Sequence, residues 1–220
     1  MNIELGTIKS SPYVGVFSVL TDKIALFPSG LESKEKKQLE KLFETEIIYT
    51  GLANCSLLGV LAVGNSNGFA VSEITEEDEI ESLERRGIRI KKVPGITAIG
   101  NLVACNDSKA FCSKAVPTKA KKVISEVLKV DCVETEIAKS DLVGSAIVLT
   151  NKGFITNPLV SEKEFSKIEK ETGLGGTTAT ANFGDKFVGN GIVANSDAAF
   201  AGKNTSGHEL IRIDEGLSGR

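Results

Sequence analysis

Leu-Gly-Val-Leu-Ala-Val-Gly-Asn-Ser-Asn-Gly-Phe, residues 58–69, sets an apolar residue and a glycine ahead of an apolar run, then a turn and a second apolar run. Four further versions of it occur, so that Gly15, Gly59, Gly100, Gly144 and Gly189 form a series of anchors. Successive anchors lie 44, 41, 44 and 45 residues apart. A near-constant spacing in that range marks a repeat architecture, in which no unit buries its apolar face alone.

Each unit reads strand, turn, strand, helix, strand. In the first, residues 14–20 predict a strand, 21–23 a turn and 24–27 the return strand. A helix follows over 32–43, with Leu39, Leu42 and Phe43 on one face. Ser29 with Glu32, Thr75 with Asp78, Ser161 with Glu164, and Ser206 with Glu209 have the spacing of capping boxes at four helix starts. The second hairpin turn, Asn65-Ser66-Asn67-Gly68, is a strong turn signal because Asn and Gly tolerate positive φ. Units fall at about 10–53, 54–96, 97–140, 141–185 and 186–220, within one domain spanning 1–220.

The fifth unit lacks its closing strand, and that strand is expected at the other end of the chain. Ile3 lies 12 residues before Gly15, as Ile47, Ile88 and Cys132 lie 12 before the next three anchors. An N-terminal strand over 2–9 would complete the fifth unit, shut a ring and remove exposed sheet edges. Propeller blades of the four-stranded kind carry no helices, whereas here five amphipathic segments recur in phase. Five pseudo-symmetric ββαβ-type units closed in this way describe an α/β fold, the pentein or α/β-propeller.

The chain has 220 residues, 25% of them charged, and a net charge of −3. Sequence-independent nucleic-acid binding needs clustered Lys and Arg, so a stand-alone DNA or RNA binder is disfavoured. Cys55, Cys105, Cys112 and Cys132 show neither a disulfide framework nor metal-ligand spacing, and each lies in or beside an apolar run. Residues 1–14 lack the continuous apolar core of a signal peptide, so none is expected there, and no apolar run approaches the length needed to span a bilayer. A cytoplasmic monomer is expected, with no metal, no cofactor and no membrane partner.

Among the candidate sites, the anchor glycines are read as points of close backbone approach near a central axis. Residues 189–194 nominally match a dinucleotide-binding pattern, but that pattern must follow a strand and open a helix, and here it leads into a strand. Residues 173–176 lack the Lys-Ser/Thr pair of a phosphate loop. A guanidino-group hydrolase or transferase is the rival class, since several penteins run that chemistry through Cys, His and carboxylates. A nucleophile needs a base within reach. This chain has one His, His208, at a helix start, and no Cys after Cys132. His208 reads as a surface residue, and no enzyme is expected.

Thr21, Asn65, Asn106, Asn151 and Asn195 sit in the five hairpin turns. Either they serve turn geometry alone, or they form a polar, amide-bearing rim that binds a macromolecule. Seven carboxylates between Glu73 and Glu84 read either as a solvated helix face or as a docking surface for a basic tail.

Residues 57–68, 98–107 and 142–153, with the closing Asn-Thr-Ser-Gly-His-Glu-Leu of 204–210, resemble the archaeal and eukaryotic translation initiation factor 6 family. The likeness covers essentially the whole chain, and the short tail ending at Arg220 resembles the archaeal form, without a regulatory extension. The resemblance implies a non-catalytic factor on the intersubunit face of the large ribosomal subunit. Its partners would be chiefly ribosomal proteins near the sarcin–ricin loop, and a GTPase with its partner protein would eject it. It further implies that Asn65, Asn106 and Asn151 lie on the ribosome-facing end, with Asn195 beside them, while Thr21 departs from the Asn pattern.

Overall fold

The computed structural model describes residues 1–219; Arg220 lies outside the described residues. Five three-stranded sheets follow one another along the chain. The first contains β2 (Val19–Leu20), β3 (Ile24–Pro28) and β4 (Glu46–Thr50); the second β5 (Ala62–Asn65), β6 (Gly68–Ser72) and β7 (Ile90–Val93). The third contains β8 (Val103–Cys105), β9 (Lys109–Ser113) and β10 (Asp131–Thr135), and the fourth β11 (Ile147–Leu149), β12 (Phe154–Thr156) and β13 (Gly176–Thr178). The last joins β14 (Ile192–Ala194) and β15 (Ala198–Gly202) to β1 (Asn2–Gly6), with Ile3 opposite Ala199. The N-terminal strand therefore closes the ring, and the pentein fold read from the repeats is the fold observed.

In each sheet the inner strand runs antiparallel to the middle one, and the middle strand parallel to the outer one. Parallel neighbours need a crossover, and a helix supplies it. Four helices do so, α1 (Ser33–Leu42), α2 (Glu77–Glu84), α3 (Thr118–Leu128) and α4 (Glu162–Thr172); α5 (Gly207–Leu217) takes the same place after β15, whose parallel partner β1 comes from the start of the chain. The core is divided among adjacent units: Val63, Ala70 and Val93 of the second pack with Ile124, Val127 and Leu128 of α3 in the third. Each middle strand contributes one fully buried phenylalanine, Phe27, Phe69, Phe111, Phe154 or Phe200. A unit taken alone would expose half of such a cluster, which is why the repeats stand or fall together.

Two local expectations are corrected. Residues 14–18 are not strand: the anchors sit in short helical turns, Val14–Val16, Leu58–Leu61, Ile99–Leu102, Val143–Ala146 and Val188–Gly191. That winding stacks each anchor on its predecessor. A Cβ on Gly59 would overlap the Gly15 carbonyl, on Gly100 that of Gly59, on Gly144 that of Gly100 and on Gly189 that of Gly144, while Gly15 against Gly189 completes the circle. The first two capping boxes are also displaced. Glu32 caps α1 with Glu35 as its reciprocal partner, and Glu76 caps α2 with Glu79. Thr75 is buried one residue too early to cap, with its hydroxyl unpartnered. The Ser161–Glu164 and Ser206–Glu209 boxes form as expected.

Candidate functional site

The five hairpin turns converge on one end of the axis, where Thr21, Asn65, Asn106, Thr150 and Asn195 together line a narrow cavity of about 20 Å³. All five, each six residues after its anchor, are buried. The Asn106 Oδ1 accepts from the amides of Ser108 and Lys109, both at 2.9 Å, and Asn195 Oδ1 accepts from Asp197 at 3.0 Å and Ala198 at 2.9 Å. Thr21 and Thr150 use their hydroxyls for the same local turn. The remaining donors of two asparagines tie units together. Asn65 Nδ2 donates to the carbonyls of Asn106 at 3.0 Å and Leu128 at 2.9 Å, and Asn106 Nδ2 donates to that of Thr150 at 2.9 Å. The side chains of Thr21, Asn65, Asn106 and Asn195 are thus buried and serve the turns, Asn65 and Asn106 with both ends of the amide and Asn195 with its Oδ1.

The next position along each turn, Asp22, Ser66, Asp107, Asn151 and Ser196, makes a second polar ring. Asn151, partly exposed, is the one expected site residue that belongs to it. Its Nδ2 donates to Asp22 Oδ2 at 2.8 Å and Asp107 Oδ2 at 2.9 Å, while its Oδ1 accepts from the Asp107 amide at 2.9 Å. Ser66 donates its amide to Asp107, and Ser196 donates amide and hydroxyl to Asp22. Burial works against the Asp22 carboxylate, but the Ser196 and Asn151 donors outweigh it and hold its pKa below the ordinary value. Lys23, Asp107, Ser108, Lys152 and Asp197 stand exposed around this ring. The outcome is a rigid polar end whose hydrogen-bonding geometry is set before any partner arrives.

The opposite end, at the anchors, opens on an axial cavity of about 110 Å³ lined in part by Asn101, Ser145 and Asn190. Around it lies a feature the sequence reading missed. Glu35, Glu79, Glu164 and Glu209 each stand 20 residues after an anchor, and the third copy has Ala120 there. Each caps its own helix and also clamps the turn that opens its unit. Glu79 accepts from the amides of Ala53 at 2.6 Å and Asn54 at 2.9 Å, and Glu209 from Gly184 at 2.9 Å and the Thr180 hydroxyl at 2.7 Å. Those turns hold non-glycine residues at positive φ, among them Ala53, Asn54, Ala138, Lys139, Asn182 and Phe183. The glutamates offset that strain by satisfying the amides it exposes. Glu79 therefore does not belong to the solvated acidic face read from residues 73–84.

The residues of the rival chemistry are not assembled. His208 is exposed at the start of α5, while Cys132 lies under α3 in the third unit, where its sulfur is 3.4 Å from the Ser125 hydroxyl. Among the described residues, no three His, Cys, Asp or Glu side chains group as a metal site, and no helix is long and apolar enough to cross a membrane.

Among solved structures, the chain is similar to a DDAH from Pseudomonas aeruginosa, with a TM-score of 0.42, 14% identity and coverage of 94% of this chain and 73% of that one. It is similar also to an agmatine deiminase of C. jejuni, with a TM-score of 0.37, 14% identity and coverage of 56% and 50%. At those scores they speak to neither chemistry nor partner. The curated relatives are nearer. Translation initiation factor 6 of Pyrococcus horikoshii is 34% identical over 99% of both chains, and that of Methanobrevibacter smithii 36% identical over 96% of this chain and 95% of its own. Residues 3–216 match the eIF-6 family. The chain belongs to the eIF-6 family, and its role is that of a translation factor.

Proposed function

We propose that this factor docks its hairpin end on the intersubunit face of the large ribosomal subunit and blocks joining of the small subunit. Release would require a GTPase acting with its partner protein, and ribosomal proteins near the sarcin–ricin loop would supply most of the contact. The observation that carries the reading is the whole-length family match, joined to a polar end locked by unit-to-unit hydrogen bonds. A surface already held in one geometry loses little conformational entropy on docking, which favours binding without a large apolar patch. In this reading Asn151 and its ring neighbours meet the partner, while Thr21, Asn65, Asn106 and Asn195 hold the turns in place beneath. Cosedimentation with purified archaeal large subunits, followed by a subunit-joining assay, tests it. Binding and inhibition of joining are expected, and no binding at micromolar factor would overturn the proposal.

A further inference from the structure

Lysine dominates the cations of this chain, yet three of its five arginines, Arg85, Arg86 and Arg89, fall within five residues. They occupy the loop between α2 and β7, beside the second hairpin turn. The carbonyl of Arg89 accepts from the Phe69 amide at 2.8 Å, directly after that turn. Lys23 of the first unit reaches the Ser66 carbonyl at 3.3 Å. From the other side, Asn67 Nδ2 donates to the Leu128 carbonyl at 3.0 Å, which brings Lys129 alongside. Lys23, Arg86, Arg89 and Lys129 are all exposed.

Few of the cations in this sector are held in ion pairs. Arg85 faces Glu81 at 3.5 Å, and the Glu126 carboxylate pairs with Lys91; Arg89 donates to the Glu126 backbone carbonyl at 2.8 Å and lies within electrostatic reach of the same carboxylate without an ion pair to it. Asp107 is occupied by Ser66 and Asn151. Among the described residues no ion pair holds Lys23, Arg86, Arg89 or Lys129. Exposed Glu84 lies two residues before Arg86, and exposed Glu46 lies beside Lys23 across the first sheet, its amide on the Lys23 carbonyl at 3.2 Å, neither in an ion pair with them. The corresponding loop is acidic in the first unit, at Glu44 and Glu46, and neutral in the fourth, at residues 173–176. The charge is therefore local to one sector of the hairpin end, which a net charge of −3 conceals.

We propose that this sector grips the phosphate backbone of RNA, an inference that rests on the docking reading above. Guanidinium groups present a planar fork that fits phosphate oxygens, and Arg is favoured over Lys where such geometry matters. A protein partner would be expected to meet an apolar or aromatic anchor, since such residues dominate protein–protein contacts. The exposed large hydrophobics, Leu5, Tyr13, Leu57, Ile74, Leu142, Leu159, Phe183 and Ile211, all lie elsewhere. Cations and polar turns without an anchor suit a line of phosphates.

The test compares wild type, an Arg86→Gln/Arg89→Gln double variant and Arg86→Lys/Arg89→Lys. Each is titrated against purified archaeal large subunits from 50 to 200 mM salt. Each lost phosphate contact lowers the slope of log K against log salt by about 1. Over that fourfold range the wild type should therefore lose about 16-fold more affinity than the Gln variant. The Lys variant should keep the wild-type slope, and the three should melt within about 2–4 °C of one another, since among the described residues the only hydrogen bond lost from the fold is the exposed one from Arg89 to the Glu126 carbonyl. Zero-length ultraviolet crosslinking of the wild-type complex should place nucleotide on the 85–89 peptide. Equal slopes and affinities for wild type and the Gln variant would overturn the basic sector while leaving the docking reading intact. A crosslink to ribosomal protein alone would overturn it in favour of an acidic protein segment. Failure of the wild type to bind would instead remove the docking reading itself.

Discussion

The two ends of the ring are closed by different physics. At the anchor end units meet through bare backbone, each glycine seated on the carbonyl of the one before. At the hairpin end they meet through side chains, with Asn65, Asn106 and Ser196 reaching into neighbouring turns and Asn151 reaching across to Asp22 of the first unit. Backbone stacking leaves no room for a substituent but is indifferent to side-chain chemistry. Hydrogen-bonded turns tolerate exchange, since Asn at three copies and Thr at two fill the same role. The end that can vary without opening the ring is the end suited to a specific partner.

The sharpest way to break this contrast is a single methyl group. At Gly100 a Cβ would overlap the Gly59 carbonyl and lie 2.8 Å from that of Ala62, and neighbours fixed in a closed ring cannot withdraw. Gly100→Ala should cost about 3 kcal/mol or more. For a domain of this size that corresponds to a fall in Tm of about 6–12 °C. Gly207→Ala is the control, because nothing lies within 4 Å of the added atom. A loss below about 1 kcal/mol at Gly100, read by urea unfolding, would show that the stack can yield.

At the other end, Asn106→Ala removes the acceptor for Ser108 and Lys109 and leaves the Thr150 carbonyl without its donor. Loss of several buried hydrogen bonds should cost about 2 kcal/mol. Asn106→Thr keeps the local turn, as Thr21 and Thr150 do, and gives up only the bridge, at about 1 kcal/mol. If the two variants were equally stable, the bridge between units would carry all of the effect and the turn none.

The same contrast explains what could be read from sequence. The anchor spacing disclosed the units, the closure by residues 2–6 and hence the fold, because glycine at a packed axis admits no substitute. Turn residues were legible as turns, but not their burial. Whether Asn65 faces solvent or the Leu128 carbonyl depends on a residue 63 positions away. Asn151 was read with the buried set, although Thr150 is the equivalent of Asn106 and Asn151 belongs one step further out. The clamping glutamates carried a visible signal, a carboxylate 20 residues after four anchors, but the helix-start pattern at Ser29 and Thr75 competed with it. Only the fold shows that Glu79 must serve both α2 and the turn at Ala53. The arginine loop was hidden by the neighbouring carboxylates and by the net charge.

The glutamate clamp offers the finest test, because it separates charge from shape. Burial opposes ionisation of Glu209, but the Ser206 amide, the Thr180 hydroxyl and the Gly184 amide overcome it, so its pKa lies below the ordinary carboxylate value. A depressed pKa in the folded state gives stability that is complete above the unfolded pKa, about 4.3, and lost as pH falls through the folded one. Glu209→Gln keeps the size and one carbonyl oxygen but removes the charge. It should cost about 1 kcal/mol at pH 7, and the gap from wild type should narrow between pH 5 and pH 3. Other depressed carboxylates, such as Asp22 and Glu164, titrate in both proteins and cancel in the difference. A gap in Tm that stays constant down to pH 3 would mean that the clamp works through shape alone, and that the turn at Asn182 and Phe183 owes its conformation to packing and not to the carboxylate.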